Sequence, residues 1–98
     1  MNITKNRDGE KLLVQVEGRI DTVTAPEFES FMKENLEGVT DLTLDLSSLE
    51  YISSAGLRII LQTQKQMNRQ GNMVVENVNE TVSEIFEVTG FSDILTIR

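Results

Sequence analysis

From Lys11 to Glu17 apolar and polar side chains alternate, with Leu12, Val14 and Val16 on one side and Leu13, Gln15 and Glu17 on the other. This two-residue period is that of a strand with one face in a core. Asp8-Gly9 just before it is a turn signal, so Ile3–Lys5 is expected as an antiparallel hairpin partner, joined through the stretch Asn6-Arg7-Asp8-Gly9-Glu10. Further on, Thr24-Ala25-Pro26-Glu27 reads as a capping box with Pro in a first helical turn, where its missing N–H costs nothing. Phe28, Phe31, Met32 and Leu36 then form one apolar helical stripe, and Gly38 supplies a left-handed stop. Alternation returns over Thr40–Leu46, where Leu42, Leu44 and Leu46 share a face opposite Thr43 and Asp45. A second helix is predicted from about Ser54 to Gln70, burying Leu57, Ile60, Leu61 and Met67 and ending at Gly71-Asn72. Met73-Val74-Val75 reads as a short buried strand, and Asn79 as the cap of a third helix with Val82, Ile85 and Phe86 inward. Gly90 ends that helix before a last strand near Leu95–Ile97.

The predicted order is β-β-α-β-α-β-α-β, an α/β arrangement. Strands that alternate with helices pair in parallel through right-handed crossovers, and the opening hairpin adds one antiparallel pair. The expected architecture is therefore a mixed, mostly parallel sheet with an N-terminal antiparallel strand and helices packed mainly on one face. A length of 98 residues suits one domain spanning 1–98, and 39% hydrophobic with 26% charged residues is the balance of a globular chain. No run approaches the roughly 20 apolar residues of a membrane span, and no basic-then-apolar leader opens the chain, so a cytoplasmic protein without membrane insertion is expected. A net charge of −7 disfavours nucleic acid as a direct partner, because phosphate-backbone binding draws on cations.

The absence of Cys and His removes thiol nucleophiles, imidazole bases, Cys/His zinc sites and disulfides. A binding module, a signalling switch or a Mg²⁺-dependent phosphotransfer domain remain. The last needs an acidic pair at the end of the first core strand, where this chain has Glu17-Gly18, so Asp45 is left without a metal pocket. No glycine-rich phosphate loop is present either, and neither metal nor cofactor is expected.

Small residues gather where the second helix begins, in Ser53-Ser54-Ala55-Gly56. A helix N-terminus presents unpaired N–H groups and partial positive charge, so a phosphate on Ser53 or Ser54 would be held there. From Tyr51 to Val75 there is no Asp or Glu, but there are Arg58, Lys65 and Arg69, and Arg58 stands one turn after Ser54. The same residues also fit a plain N-cap, close helix-to-sheet packing and a solvated helix face, and spacing leaves both readings open. Asp21 reads either as a turn or capping residue or as part of a partner surface. Asp45 reads as a local structural acceptor and Tyr51, the only tyrosine, as a packing residue.

Taken together, Gly18-Arg19-Ile20-Asp21, the strand Leu42–Leu46, Tyr51-Ile52-Ser53-Ser54-Ala55-Gly56-Leu57 and Ile85-Phe86-Glu87-Val88-Thr89-Gly90-Phe91 resemble the STAS domain of bacterial anti-sigma-factor antagonists over nearly the whole chain. The resemblance implies a regulatory protein, not an enzyme. Its unphosphorylated form would bind an anti-sigma factor that is itself a Ser/Thr kinase and so release a sigma factor. Phosphorylation would cancel binding, and a Ser/Thr phosphatase would restore it. The family's phosphorylated serine lies two positions before the glycine, which is Ser54 here, and its loop aspartate corresponds to Asp21. Ser53, Ala55, Gly56 and Arg58 fall on the implied partner surface. In the family Asp often precedes the phosphorylated serine and Gly is frequent at the position of Arg58, so this chain carries a variant form of the motif. STAS domains also serve as adaptor subunits of transporters or signalling assemblies without a phosphorylation cycle, and that alternative stays open.

Overall fold

The computed structural model describes residues 1–98. Strand β1 (Asn2–Asp8) pairs antiparallel with β2 (Lys11–Ile20), from Asn2 opposite Glu17 to Asp8 opposite Lys11. Gly9, with φ +62°, makes the tight connection, so the link is shorter and the first strand longer than expected. β1 is an edge strand exposed at nearly every position, so it carries no hydrophobic alternation from which its length could be read.

Helix α1 (Ala25–Asn35) leads to β3 (Asp41–Asp45), and β4 (Leu49–Ile52) leads directly into α2 (Ser54–Gln70). β5 (Asn72–Glu76) and α3 (Glu80–Val88) follow, then a 3₁₀ turn at Phe91–Asp93. The sheet order is β1-β2-β3-β5, with β4 paired to the far end of β2; β2, β3, β4 and β5 are mutually parallel where they pair. The expected mixed sheet with one antiparallel edge is present. Two details differ. The predicted strand at Leu95–Ile97 is only an isolated parallel bridge between Val75 and Ile97. β4 is an additional strand inside the segment that the serine-rich pattern marks only as a site.

β4 escapes periodicity because it is irregular. The register shifts between Gly18 and Arg19, so Gly18 faces Leu49 while Arg19 faces Tyr51, and Glu50 is skipped. Such a bulge turns Leu49 and Ile52, three positions apart, into the core together. Gly18 accommodates the bend with φ +92°.

The regular strands bury one face. Leu12, Leu42 and Met73 align across β2, β3 and β5, as do Val14, Leu44 and Val75, and all six are buried. Phe28 and Met32 of α1, Ile60 and Met67 of α2, and Val82 and Phe86 of α3 cover them in one cluster of 23 buried hydrophobic residues. Phe31, Leu61 and Ile85, expected inside, are half-buried because they sit at the edges of their helical stripes. On the other face the row Gln15, Asp45 and Glu76 is polar, with Gln15 exposed and Asp45 and Glu76 half-buried.

Candidate functional site

The end of β2 and the bulged strand β4 deliver Ile20 and Ile52 side by side to the start of α2. The Ser53 N–H donates to the Ile20 carbonyl at 2.8 Å, fastening this junction. Ser53 has extended φ/ψ of −89° and 174°, the geometry of an N-cap, and its Oγ accepts from the Gly56 N–H at 3.5 Å. Ser54 is the first residue of the helix. It is exposed, and its hydroxyl is engaged by no protein group. The two serines therefore divide the roles that spacing leaves open, with Ser53 capping and Ser54 free at the end of the helix where the dipole is positive.

Gly56 is buried, and its lack of a side chain is a packing requirement. A Cβ there would stand 2.6 Å from Ile20 Cγ2 and 2.7 Å from Ile52 Cγ1. The glycine thus lets α2 settle onto the two strand ends and holds Ser54 at the surface. Ala55 is half-buried and Arg58 exposed. Within 4.0 Å the molecule's ion pair is Glu29–Lys33, so the Arg58 guanidinium is free.

Asp21 is built into the loop between β2 and α1. Its Oδ1 accepts from the N–H groups of Val23 and Thr24, each at 3.0 Å, and its own N–H donates to Thr24 Oγ1 at 2.9 Å. The Thr24 hydroxyl donates to the Arg19 carbonyl at 3.0 Å. This corrects the expected capping box: the Thr24 N–H that Glu27 would take is held by Asp21, and Thr24 makes no side-chain cap. The Thr24 backbone bond is the main cause that holds the Asp21 carboxyl below its usual range; partial desolvation opposes it, and the Val23 and Thr24 bonds and Arg19 add to it.

This pinned loop holds Val23 out, 83% exposed. Periodicity does not single it out, since a lone valine in a polar loop belongs to no stripe; its apolar character between Thr22 and Thr24 is the available signal. Thr22, Ala25 and Pro26 on one side and Ala55, Arg58 and Ile59 on the other line an open depression beside Ser54. Asp21, Ser53, Ser54, Ala55 and Arg58 thus belong to one end of the molecule, with Gly56 beneath them.

Arg19 lies over the Tyr51 ring at 4.5 Å from its centroid, a cation–π contact along the β2–β4 pairing that gives Tyr51 its packing role. Asp45 is a local acceptor, as expected. The Ser47 N–H is the chief cause of its lowered carboxyl pKa; desolvation opposes this, and Gln15, Ser47 and Asn77 side chains reinforce it.

The STAS domain family matches residues 2–98. The anti-sigma-B factor antagonist of Listeria monocytogenes is 33% identical over 104 residues, spanning 100% of this chain and 90% of that protein. Among solved structures, an anti-sigma factor antagonist from Mycobacterium paratuberculosis superposes with a TM-score of 0.89 at 24% identity, covering 98% of this chain and 83% of that one. The Bacillus cell fate determinant SpoIIAA in its phosphorylated form superposes with a TM-score of 0.76 at 14% identity, covering 99% and 91%.

Proposed function

The chain belongs to the STAS domain family, and from that premise we propose that it is an anti-sigma-factor antagonist switched by phosphorylation of Ser54. The observation that carries this reading is the division between the two serines: Ser53 is spent on the cap, and Ser54 presents a free, exposed hydroxyl on the first turn of α2. The unmodified end, formed by Val23 and Asp21 of the loop and Ser54, Ala55 and Arg58 of α2, binds an anti-sigma factor and withdraws it from a sigma factor. That anti-sigma factor is an ATP-dependent kinase. The Ser54 oxygen attacks the γ-phosphorus of ATP, the bond to the β-phosphate oxygen breaks, ADP leaves, and the hydroxyl proton passes to a base on the kinase.

The resulting phosphate carries about −1.5 to −2 charges. The first N–H groups of α2, the helix dipole and Arg58 one turn on hold it without a change of fold. It then stands where the partner must approach, so binding fails. A Ser/Thr phosphatase hydrolyses the ester and restores the binding form. The protein is a regulated substrate in the cytoplasm and not an enzyme. Its test is intact-mass analysis after incubation with purified ATPase-type anti-sigma factors of the source genome and ATP, with peptide mapping of the product. One phosphoryl group on Ser54, absent from Ser54→Ala, is expected. Stoichiometric phosphorylation of Ser54→Ala overturns the assignment, and capture of a partner with no phosphorylation by any of them leaves an adaptor.

A further inference from the structure

The exposed face of α2 carries a charge pattern that the serine switch does not use. Successive helical residues turn by about 100°, so Ser54, Lys65, Arg58 and Arg69 fall in that angular order within roughly 60° of arc. All four are exposed. The core side of the helix, marked by Gly56, Ile60, Thr63 and Met67, lies opposite. At about 1.5 Å per residue the row from Ser54 to Arg69 is about 22 Å long. No acidic residue lies on α2, and between Glu50 and Glu76 the chain has none. Glu29 of α1 borders the grooves beside Arg58 and Arg69, but its ion pair, at 3.9 Å, is with Lys33. A molecule of net charge −7 thus keeps one continuous stripe of three free cations, aligned with its modification site.

We propose that this stripe is a docking rail for an acidic protein surface, so that the anti-sigma factor lies lengthwise along α2 and not only over Ser54. The inference rests on the antagonist reading and adds the partner's chemistry to it: a row of Asp and Glu complementary to Arg58, Lys65 and Arg69. Charge complementarity favours a folded acidic partner over a polyanion, since three cations on an otherwise acidic surface release few counterions and the remaining surface repels phosphate. The rail also adds to the switch. A phosphate on Ser54 brings about −1.5 to −2 charges to the head of the stripe, engages Arg58, and offsets about half to two thirds of the stripe's charge before the partner arrives.

The test measures association of the purified anti-sigma factor that phosphorylates the chain, at low and high salt. The variants are Lys65→Glu/Arg69→Glu, Ser54→Glu, and a control with the same change in net charge away from α2, Lys11→Glu/Arg98→Glu. Lys65 and Arg69 are exposed and more than two turns from Ser54, so their reversal leaves the phosphoacceptor intact; thermal melting confirms the fold. The expected result is a loss of about tenfold or more in affinity for Lys65→Glu/Arg69→Glu at low salt, mostly in the association rate and smaller at high salt, with the control near wild type. If Lys65→Glu/Arg69→Glu binds within about twofold of wild type while Ser54→Glu does not bind, the rail is refuted and the antagonist reading stands. If Ser54→Glu binds as wild type, the antagonist switch itself fails. Tighter binding of duplex DNA or phosphatidylserine vesicles than of the anti-sigma factor also overturns the proposal, in favour of a polyanion.

Discussion

Replacing Gly56 by alanine is a small change with a calculable consequence. The added Cβ meets Ile20 Cγ2 at 2.6 Å and Ile52 Cγ1 at 2.7 Å. Ile20 and Ile52 are 0% and 1% exposed, so neither side chain has solvent to move into, and relief must come from shifting the start of α2. Overpacking of this kind costs about 1–3 kcal/mol. Two contacts below 3.0 Å with buried side chains put this site in the upper half of that range, about 2–3 kcal/mol, and alanine returns about 1 kcal/mol of helix propensity at most, so the net loss is about 1–2 kcal/mol. At about 4–8 °C per kcal/mol for a domain of this size, the melting midpoint falls by about 4–16 °C. Because the displaced turn carries Ser54, phosphorylation by the cognate kinase slows more than the stability loss explains. Circular-dichroism melting and initial phosphorylation rates measured well below the melting midpoint test both consequences. A Gly56→Ala protein that melts at or above the wild-type temperature, with an unchanged rate, refutes the reasoning. Gly71→Ala gives an internal comparison: its Cβ would stand 1.9 Å from the Thr40 carbonyl oxygen, which is itself bonded to the Asn72 N–H, and backbone yields less than a side chain. It is expected to be the more damaging of the two.

Further outcomes follow from single contacts. Ser53→Ala loses a cap bond that is already long at 3.5 Å, so it costs about 0.5 kcal/mol, the low end for caps, and leaves Ser54 phosphorylatable; a phosphoryl group mapped to Ser53 in the wild type contradicts this. Gln64 is buried with Oε1 unpartnered while its Nε2 donates to Asn68 at 2.8 Å, so Gln64→Leu should raise stability by about 1 kcal/mol and move the urea midpoint up, and a lowered midpoint contradicts this. The folded-state carboxyls of Asp21 and Asp45 titrate below their usual range, so the unfolded chain holds more protons. Their contribution is complete above the unfolded value near pH ~3.9 and is lost as pH falls through the lower folded values. The melting advantage of wild type over Asp21→Asn/Asp45→Asn should therefore shrink on acidification below about pH 4; an advantage that stays constant there contradicts the assignment.

Much of the fold is legible in the sequence where one face is buried and the backbone is regular. The alternation in Lys11–Glu17 and Thr40–Leu46 and the stripes at Phe28/Met32 and Val82/Phe86 name residues that the structure buries. Irregular places are not legible, for physical reasons. β4 contains a bulge that puts Leu49 and Ile52 on one side, and β1 is an exposed edge with no pattern to read. The Leu95–Ile97 segment buries only Leu95 and makes a single bridge, so its apolar composition overstates the strand. At the site, the sequence brings Ser53, Ser54 and Gly56 into view but cannot divide capping from exposure between adjacent serines, since that depends on the backbone angles of one residue. Thr24 and Glu27 have the spacing of a capping box, yet Asp21, three residues away on the other side, takes the same N–H. Val23 becomes visible only once the loop that presents it is seen to be fastened.

In the proposed switch, a phosphate on Ser54 turns binding off at the surface. The direct measurement is the affinity of the purified anti-sigma factor for the unmodified and the stoichiometrically Ser54-phosphorylated protein, titrated side by side. Desolvating the phosphate against the partner surface costs about 3–4 kcal/mol, which at about 1.4 kcal/mol per decade predicts a loss of more than a hundredfold for the phosphorylated form. Equal affinities for the two forms would contradict the switch.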